Sequence, residues 1–148
     1  MLNQIVVKWM GFMNSERQAA WTNLGLLLLR LAFGGFMAFG HGLGKLTHFG
    51  EKSGQFFDLL GLGSSVSLAL AVFAEFFCSI ALMLGLATRL VLIPLIATMG
   101  VAAFIVHAAD AFGRKELALV YLSVYIALFL IGPGRYSFDA AIAKKRRS

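Results

Sequence analysis

Long runs of apolar residues alternate along the chain with short polar stretches, and the runs have the length of a bilayer crossing. The first extends from about Leu24 to Leu43, the second from about Val66 to Leu86, the third from about Leu90 to Ala109 and the fourth from about Leu117 to Ile131. A helix rises about 1.5 Å per residue, so roughly 20 residues cross about 30 Å of hydrocarbon. The fourth run is short and calls for Glu116 or Gly132 at the interface, or for local thinning of the bilayer. The pattern predicts an all-α integral membrane four-helix bundle, forming one domain over 1–148.

Ala87, Thr88 and Arg89 alone join the second and third runs, which is enough only for an antiparallel hairpin. Pro94 falls in the first turns of the third span, where a proline is tolerated or bends the helix mildly. From Gly44 to Ser65, charged and polar residues surround Phe56, Phe57, Leu59 and Leu60, which predicts a short interfacial helix between helices 1 and 2. A second short amphipathic helix is expected over Met1–Met13, with Trp9 and Phe12 at headgroup depth. No small-residue cleavage site follows it, so it does not read as a signal peptide.

Composition supports the bilayer as solvent. Hydrophobic residues make up 59%, charged residues 14%, and mean hydropathy is +0.83. A soluble domain carries about a quarter charged residues, so no large soluble domain is expected. Basic residues sort by side: Lys8, Arg17, Arg89, Arg135 and the block Lys144, Lys145, Arg146 and Arg147 stand against Lys45, Lys52, Arg114 and Lys115. The bias places both termini in the cytoplasm. No aromatic or basic surface flanks the terminal block, so a nucleic-acid partner is not expected. The lone Cys78 offers neither an internal disulfide nor a CxxC relay, and reads as an inert buried thiol.

Several side chains do not belong in lipid. Arg30 lies within the first span and Glu75 near the middle of the second, where each charge would cost roughly 2.5–3.5 kcal/mol unpaired. Counted from the face at which each span begins, both reach similar depth, which predicts a buried Arg30–Glu75 ion pair near the midplane. Arg30 and His41 are eleven residues apart, close to three turns, so they are expected on one helix face about 16 Å apart. Small residues mark three inward stripes: Gly34, Ala38 and Gly42; Ala71 and Ser79 around Glu75; Gly100 and Ala103 below His107. His41, Lys45, His107, Asp110 and Tyr121, with Tyr125 near them, gather toward the outer ends. Histidines beside Lys and Asp suit proton transfer, or hydrogen bonding to the carbonyl oxygens of a quinone. No HxxxH, CxxC or HExxH spacing supports a metal site.

Taken in order, these motifs resemble the DoxX family of small bacterial membrane proteins, over about Leu24 to Ile142. The resemblance rests on Leu29-Arg30-Leu31, His41-Gly42 with Lys45, Phe73-Ala74-Glu75, the Gly85-Leu86-Ala87-Thr88-Arg89 turn, His107, and Gly132-Pro133-Gly134-Arg135-Tyr136-Ser137-Phe138-Asp139. It implies a four-helix bundle in the bacterial inner membrane, with members associated with quinol oxidase and thiosulfate-to-quinone electron transfer, redox stress, or assembly of other membrane proteins. It also marks Arg30, His41, Lys45, Glu75 and His107 as the family's polar positions.

The leading expectation is a redox-associated membrane protein with a polar cavity for a quinone or similar lipophilic molecule, lined by Arg30, His41, Lys45, Glu75, His107 and Tyr121. With no flavin, haem or cluster motif, electron transfer needs a partner, and the chain would act as an accessory subunit of a quinone-linked oxidoreductase. A scaffold or assembly chaperone with a purely structural polar core is the alternative. A proton-coupled carrier is disfavoured, since one copy lacks inverted repeats, although a homodimer would supply two.

Overall fold

A computed structural model of the chain describes residues 15–58 and 61–146. The helix expected over Met1–Met13 lies outside the described residues. Among those described, every regular element is helical. Helix α1 runs over Ser15–Met37, passes through a π turn at Ala38–Gly42 and finishes as Leu43–Thr47. The short α2, Phe49–Lys52, stands where an interfacial helix was expected between the first two spans. Helix α3 covers Ser64–Leu84 around a π turn at Phe73–Cys78, and α4 covers Thr88–Val106, its last turn, Ala102–Val106, also π. Helix α5 is Phe112–Ile131 and α6 is Phe138–Lys145.

Three of these helices are long and apolar enough to cross a membrane, over 16–47, 64–84 and 88–106. Helix α5 is 20 residues long and packs on α4, but Arg114, Lys115 and Glu116 occupy its first turns and confine its apolar part to Leu117–Ile131. The four long helices form an antiparallel bundle. Its interior is closed by Met37, Leu68, Leu82, Leu92, Leu95 and Leu128, all at most 1% exposed. Its outside is also apolar: Phe36, Phe73, Phe77, Phe104, Leu90 and Leu130 are all more than half exposed. Water would not tolerate a shell of this kind over the whole bundle.

Two small-residue stripes set the α1–α3 register. A Cβ on Gly34 would meet Met83 Cγ at 2.7 Å and Ser79 O at 3.0 Å, and one on Gly42 would meet the Glu75 backbone at 2.7 Å. Gly42 therefore lies level with Glu75, and Gly34 with Ser79 and Met83. Ala38, Ala71 and Ser79 are buried along the same seam. Of the third expected stripe, Ala103 is buried, at 1% exposed, whereas a Cβ on Gly100 would touch nothing within 4 Å. The π turn at Ala102–Val106 shifts the phase of His107, which follows it, by as much as one residue, about 100°, relative to Gly100.

We call the end where α1 begins and α5 finishes the tail end, and the opposite one, with 48–58, 61–63 and 107–111, the loop end. Helix α3 stops at Gly85, whose φ of +68° is left-handed, and Leu86 N–H returns to Ala81 O at 2.9 Å. After α5, Gly132 (φ +100°) and Pro133 turn the chain back across the tail end. There Asp139 accepts from Ala87 N at 2.7 Å and from Thr88 N at 2.8 Å, capping α4 from a distant part of the chain. Asp139 N–H donates to Gly85 O at 3.0 Å, and Arg135 N–H donates to Asn23 Oδ1 at 2.6 Å. The Gly132–Asp139 segment is thus an internal clamp binding α1, the α3–α4 turn and α4.

Candidate functional site

Arg30 is fully buried, yet it does not meet Glu75. Its Nη2 donates to Tyr136 O, its guanidinium occupies the space that a Cβ on Gly85 would take, and the charge acting on it is that of Asp139. The expected Arg30–Glu75 pair is corrected by register and by side-chain direction. Glu75 lies level with Gly42, twelve residues or about 18 Å along α1 from Arg30. Helical side chains also lean toward their own N-terminus. Arg30 on α1 therefore leans to the tail end, and Glu75 on the antiparallel α3 leans to the loop end.

The same rule brings Lys45 to Glu75. Lys45 stands one turn beyond Gly42 and leans back into the bundle, and its Nζ donates to Glu75 Oε2 at 2.5 Å. Glu75 is only 5% exposed while Lys45 is partly exposed, so the ion pair reaches from the interior of the loop-end half toward its rim. Ser79, fully buried one turn from Glu75, adjoins Tyr125, whose hydroxyl donates to Phe33 O at 3.4 Å. The two π turns, Ala38–Gly42 and Phe73–Cys78, pack on each other here; one carries His41 and the other Glu75. Such turns recur at functional sites, since the extra residue re-aims side chains without ending the helix.

That re-aiming separates His41 from the face of Arg30. His41 is half-buried to the side of the α1–α3 seam, with its ring 5.9 Å from that of Tyr121, edge to face. Both border a groove of about 470 Å³ that runs along α1 past Leu31, Ala32, Gly35, Phe36, Phe39 and Gly40 and opens on the outside of the bundle. Tyr121 is 5% exposed and stacks edge-on against Phe33 at 5.5 Å. Neither the His41 imidazole nor the Tyr121 hydroxyl has a hydrogen bond to another group among the described residues.

His107 stands apart from this centre. Its Nδ1 lies 2.8 Å from Asp110 Oδ2 in the turn after α4, with Arg114 3.8 Å from the same oxygen. A carboxylate only accepts, so Nδ1–H donates. That hydrogen bond, with the Arg114 charge adding to it, holds the Asp110 carboxyl below its ordinary value. The outer polar group thus splits into three: Lys45 with Glu75, His41 with Tyr121 at the groove, and His107 with Asp110 at the rim. Among the described residues no three His, Cys, Asp or Glu side chains converge as a metal site would need.

The comparison with protein families bears on the same residues. The DoxX family model matches residues 25–108, which include Arg30, His41, Lys45, Glu75 and His107. The chain belongs to the DoxX family. It is accordingly a membrane protein, with several helices long and apolar enough to cross a bilayer. Comparison with curated proteins and with solved structures gives no match. The clamp segment Gly132–Asp139 and Tyr121 lie beyond the part of the DoxX model that matches.

Of the six residues expected to line a cavity, only His41 and Tyr121 border this groove, and its floor is made by residues not expected there. Gly35 and Gly40, with Phe36 and Phe39, form a second row beside the packing row Gly34, Ala38 and Gly42. The available signal was the pair of extra glycines: a Cβ on Gly40 would touch nothing within 4 Å, so that glycine serves open space rather than helix contact.

Proposed function

We propose that this DoxX protein binds a quinone or a similar carbonyl-bearing lipophilic molecule in the groove along α1. The observation that carries the reading is the pair of unpartnered hydrogen-bonding groups, His41 and Tyr121, at one end of an otherwise apolar groove open to lipid. Such a balance, mostly apolar lining with a few convergent polar groups, is what small-molecule sites use. The imidazole and the phenol donate to the carbonyl oxygens; Lys45 and Glu75, one turn away, hold a fixed charge pair behind His41. Arg30 and His107 stay outside the binding set and support the two ends of the bundle.

In this reading α5 is the fourth span, both termini face the cytoplasm of a bacterial cell, and electrons come from a partner oxidoreductase. The basic tails and the polar rim of the loop end support that orientation. Quinone titration of the purified protein in detergent, followed by competition, tests the proposal. His41→Ala and Tyr121→Phe should each weaken binding by roughly fivefold, the worth of one hydrogen bond. Unchanged binding in the double variant His41→Ala with Tyr121→Phe would remove the groove from the function and leave the scaffold reading, for which co-purified membrane proteins are the readout.

A further inference from the structure

The groove is not symmetric along its length, and its asymmetry bears on what lies in it. Its lining falls into two adjacent rows at helical spacing, Leu31, Gly35 and Phe39 beside Ala32, Phe36 and Gly40, and only the His41 end carries polar groups. From Leu31 to His41 the groove follows α1 for about 15 Å. Phe36 and Phe39, 63% and 58% exposed, stand as its walls, while Gly35 and Gly40 leave its floor low. At the polar end Tyr121 is nine-tenths buried, and its hydroxyl has no hydrogen-bond partner among the described residues.

We infer that the groove takes a single-chain amphiphile, its carbonyl-bearing head at His41 and Tyr121 and its hydrocarbon chain laid along α1 toward Leu31. This rests on the proposed binding of a lipophilic carbonyl compound and adds the chain and its direction. His41 lies near the loop end of a helix that crosses the bilayer, and Leu31 lies deeper. An amphiphile in the loop-end leaflet already has its head at the interface and its chain toward the midplane. The ligand therefore enters sideways from that leaflet without inverting, and a ring lacking a chain fills only the polar end. Because lipid is as apolar as the groove, the chain is held by packing between Phe36 and Phe39 and not by escape from water.

The test uses the full chain in lipid nanodiscs and three probes: a tail-free benzoquinone, the same ring with a short alkyl chain, and the same ring with a long chain ending in a diazirine. Affinity should rise with chain length, by about tenfold from the first probe to the last. Photolysis of the long probe should label residues 31–36. Gly35→Leu raises the floor under the chain; its Cβ would meet only Met83 Cε at 3.9 Å, and an unchanged unfolding temperature in detergent is the check that the fold is kept. That variant should abolish the gain from the chain while leaving the tail-free ring bound as before. Gly40→Leu, at the head, should weaken all three probes.

Affinity independent of chain length, labelling of residues 43–58, or equal weakening of all probes by Gly35→Leu would overturn the inference. The two readings fail differently. If no ring compound binds but a long-chain alcohol bearing the diazirine still labels residues 31–36, and Gly35→Leu blocks it, the carbonyl reading falls and the chain track stands.

Discussion

At the tail end, the Arg30 guanidinium, the Asp139 carboxylate, the Asn23 amide and the backbone of Gly85, Ala87, Thr88, Arg135 and Tyr136 are bonded across four segments of chain. Along the groove nearer the loop end, His41 and Tyr121 touch only through their rings. Both regions place polar groups within or beside an apolar bundle, where an unsatisfied group is costly. The tail end ties its charges together internally, although Arg30 Nε and Nη1 and Thr88 Oγ1 are buried there without a hydrogen-bond partner among the described residues. The groove differs in leaving its groups at an opening where a ligand can reach them, whereas the clamp's unpaired atoms are closed off. Lys45 and Glu75 lie between the two cases, a closed pair one turn from an open one.

The sharpest way to break this contrast is at Asp139. Asp139→Ala removes two caps on α4 and the charge facing buried Arg30, and should destabilise the bundle by about 3 kcal/mol, read as unfolding in detergent against temperature. Quinone affinity of the fraction that remains folded should not change. A smaller loss, about 2 kcal/mol, is expected for Lys45→Ala, which strands the Glu75 carboxylate in the interior. Glu75→Gln should cost less, because Lys45, being partly exposed, can extend its ammonium toward the interface; equal losses would contradict this asymmetry.

Two neighbouring glycines sharpen the comparison at smaller scale. Gly42→Ala drives a methyl into the Glu75 backbone and should lose about 1–2 kcal/mol. Gly40→Ala meets nothing and should gain up to about 1 kcal/mol in helix stability, so a measured loss there would mean that the groove is closed in solution. The smallest effect is at the rim. Since folding lowers the Asp110 pKa, its support of the 107–114 turn is complete above about pH 4 and disappears as pH falls through the folded value. Amide exchange in that turn should accelerate on acidification in the parent chain, whereas Asp110→Asn should show the fast rate already at neutral pH.

Much of this architecture was legible in the residues. The apolar runs marked the long helices, the three-residue Ala87–Arg89 link dictated a hairpin, and the rows Gly34–Gly42 and Ala71–Ser79 marked the seam that forms. The partners of the charges were not legible. Span limits placed Arg30 and Glu75 at one depth only to within several residues, and an error of that size moves a charge by a third of the bilayer. Helical phase was read as unbroken through Ala38–Gly42, whereas the π turn there carries His41 off the Arg30 face. The fold-back of Gly132–Asp139 depends on contacts with Asn23 and Gly85 that no local pattern announces.

The clamp also imposes an order on biogenesis. Arg30 enters the membrane with the first helix, while Tyr136, whose carbonyl receives it, is 106 residues further along. At about 5–20 residues per second the ribosome needs roughly 5–20 s to deliver that partner. Throughout that interval the arginine can stay solvated only by reaching back to the headgroups on the side from which α1 entered. The nascent bundle therefore holds this helix near that surface, and seats it fully only once Tyr136 arrives.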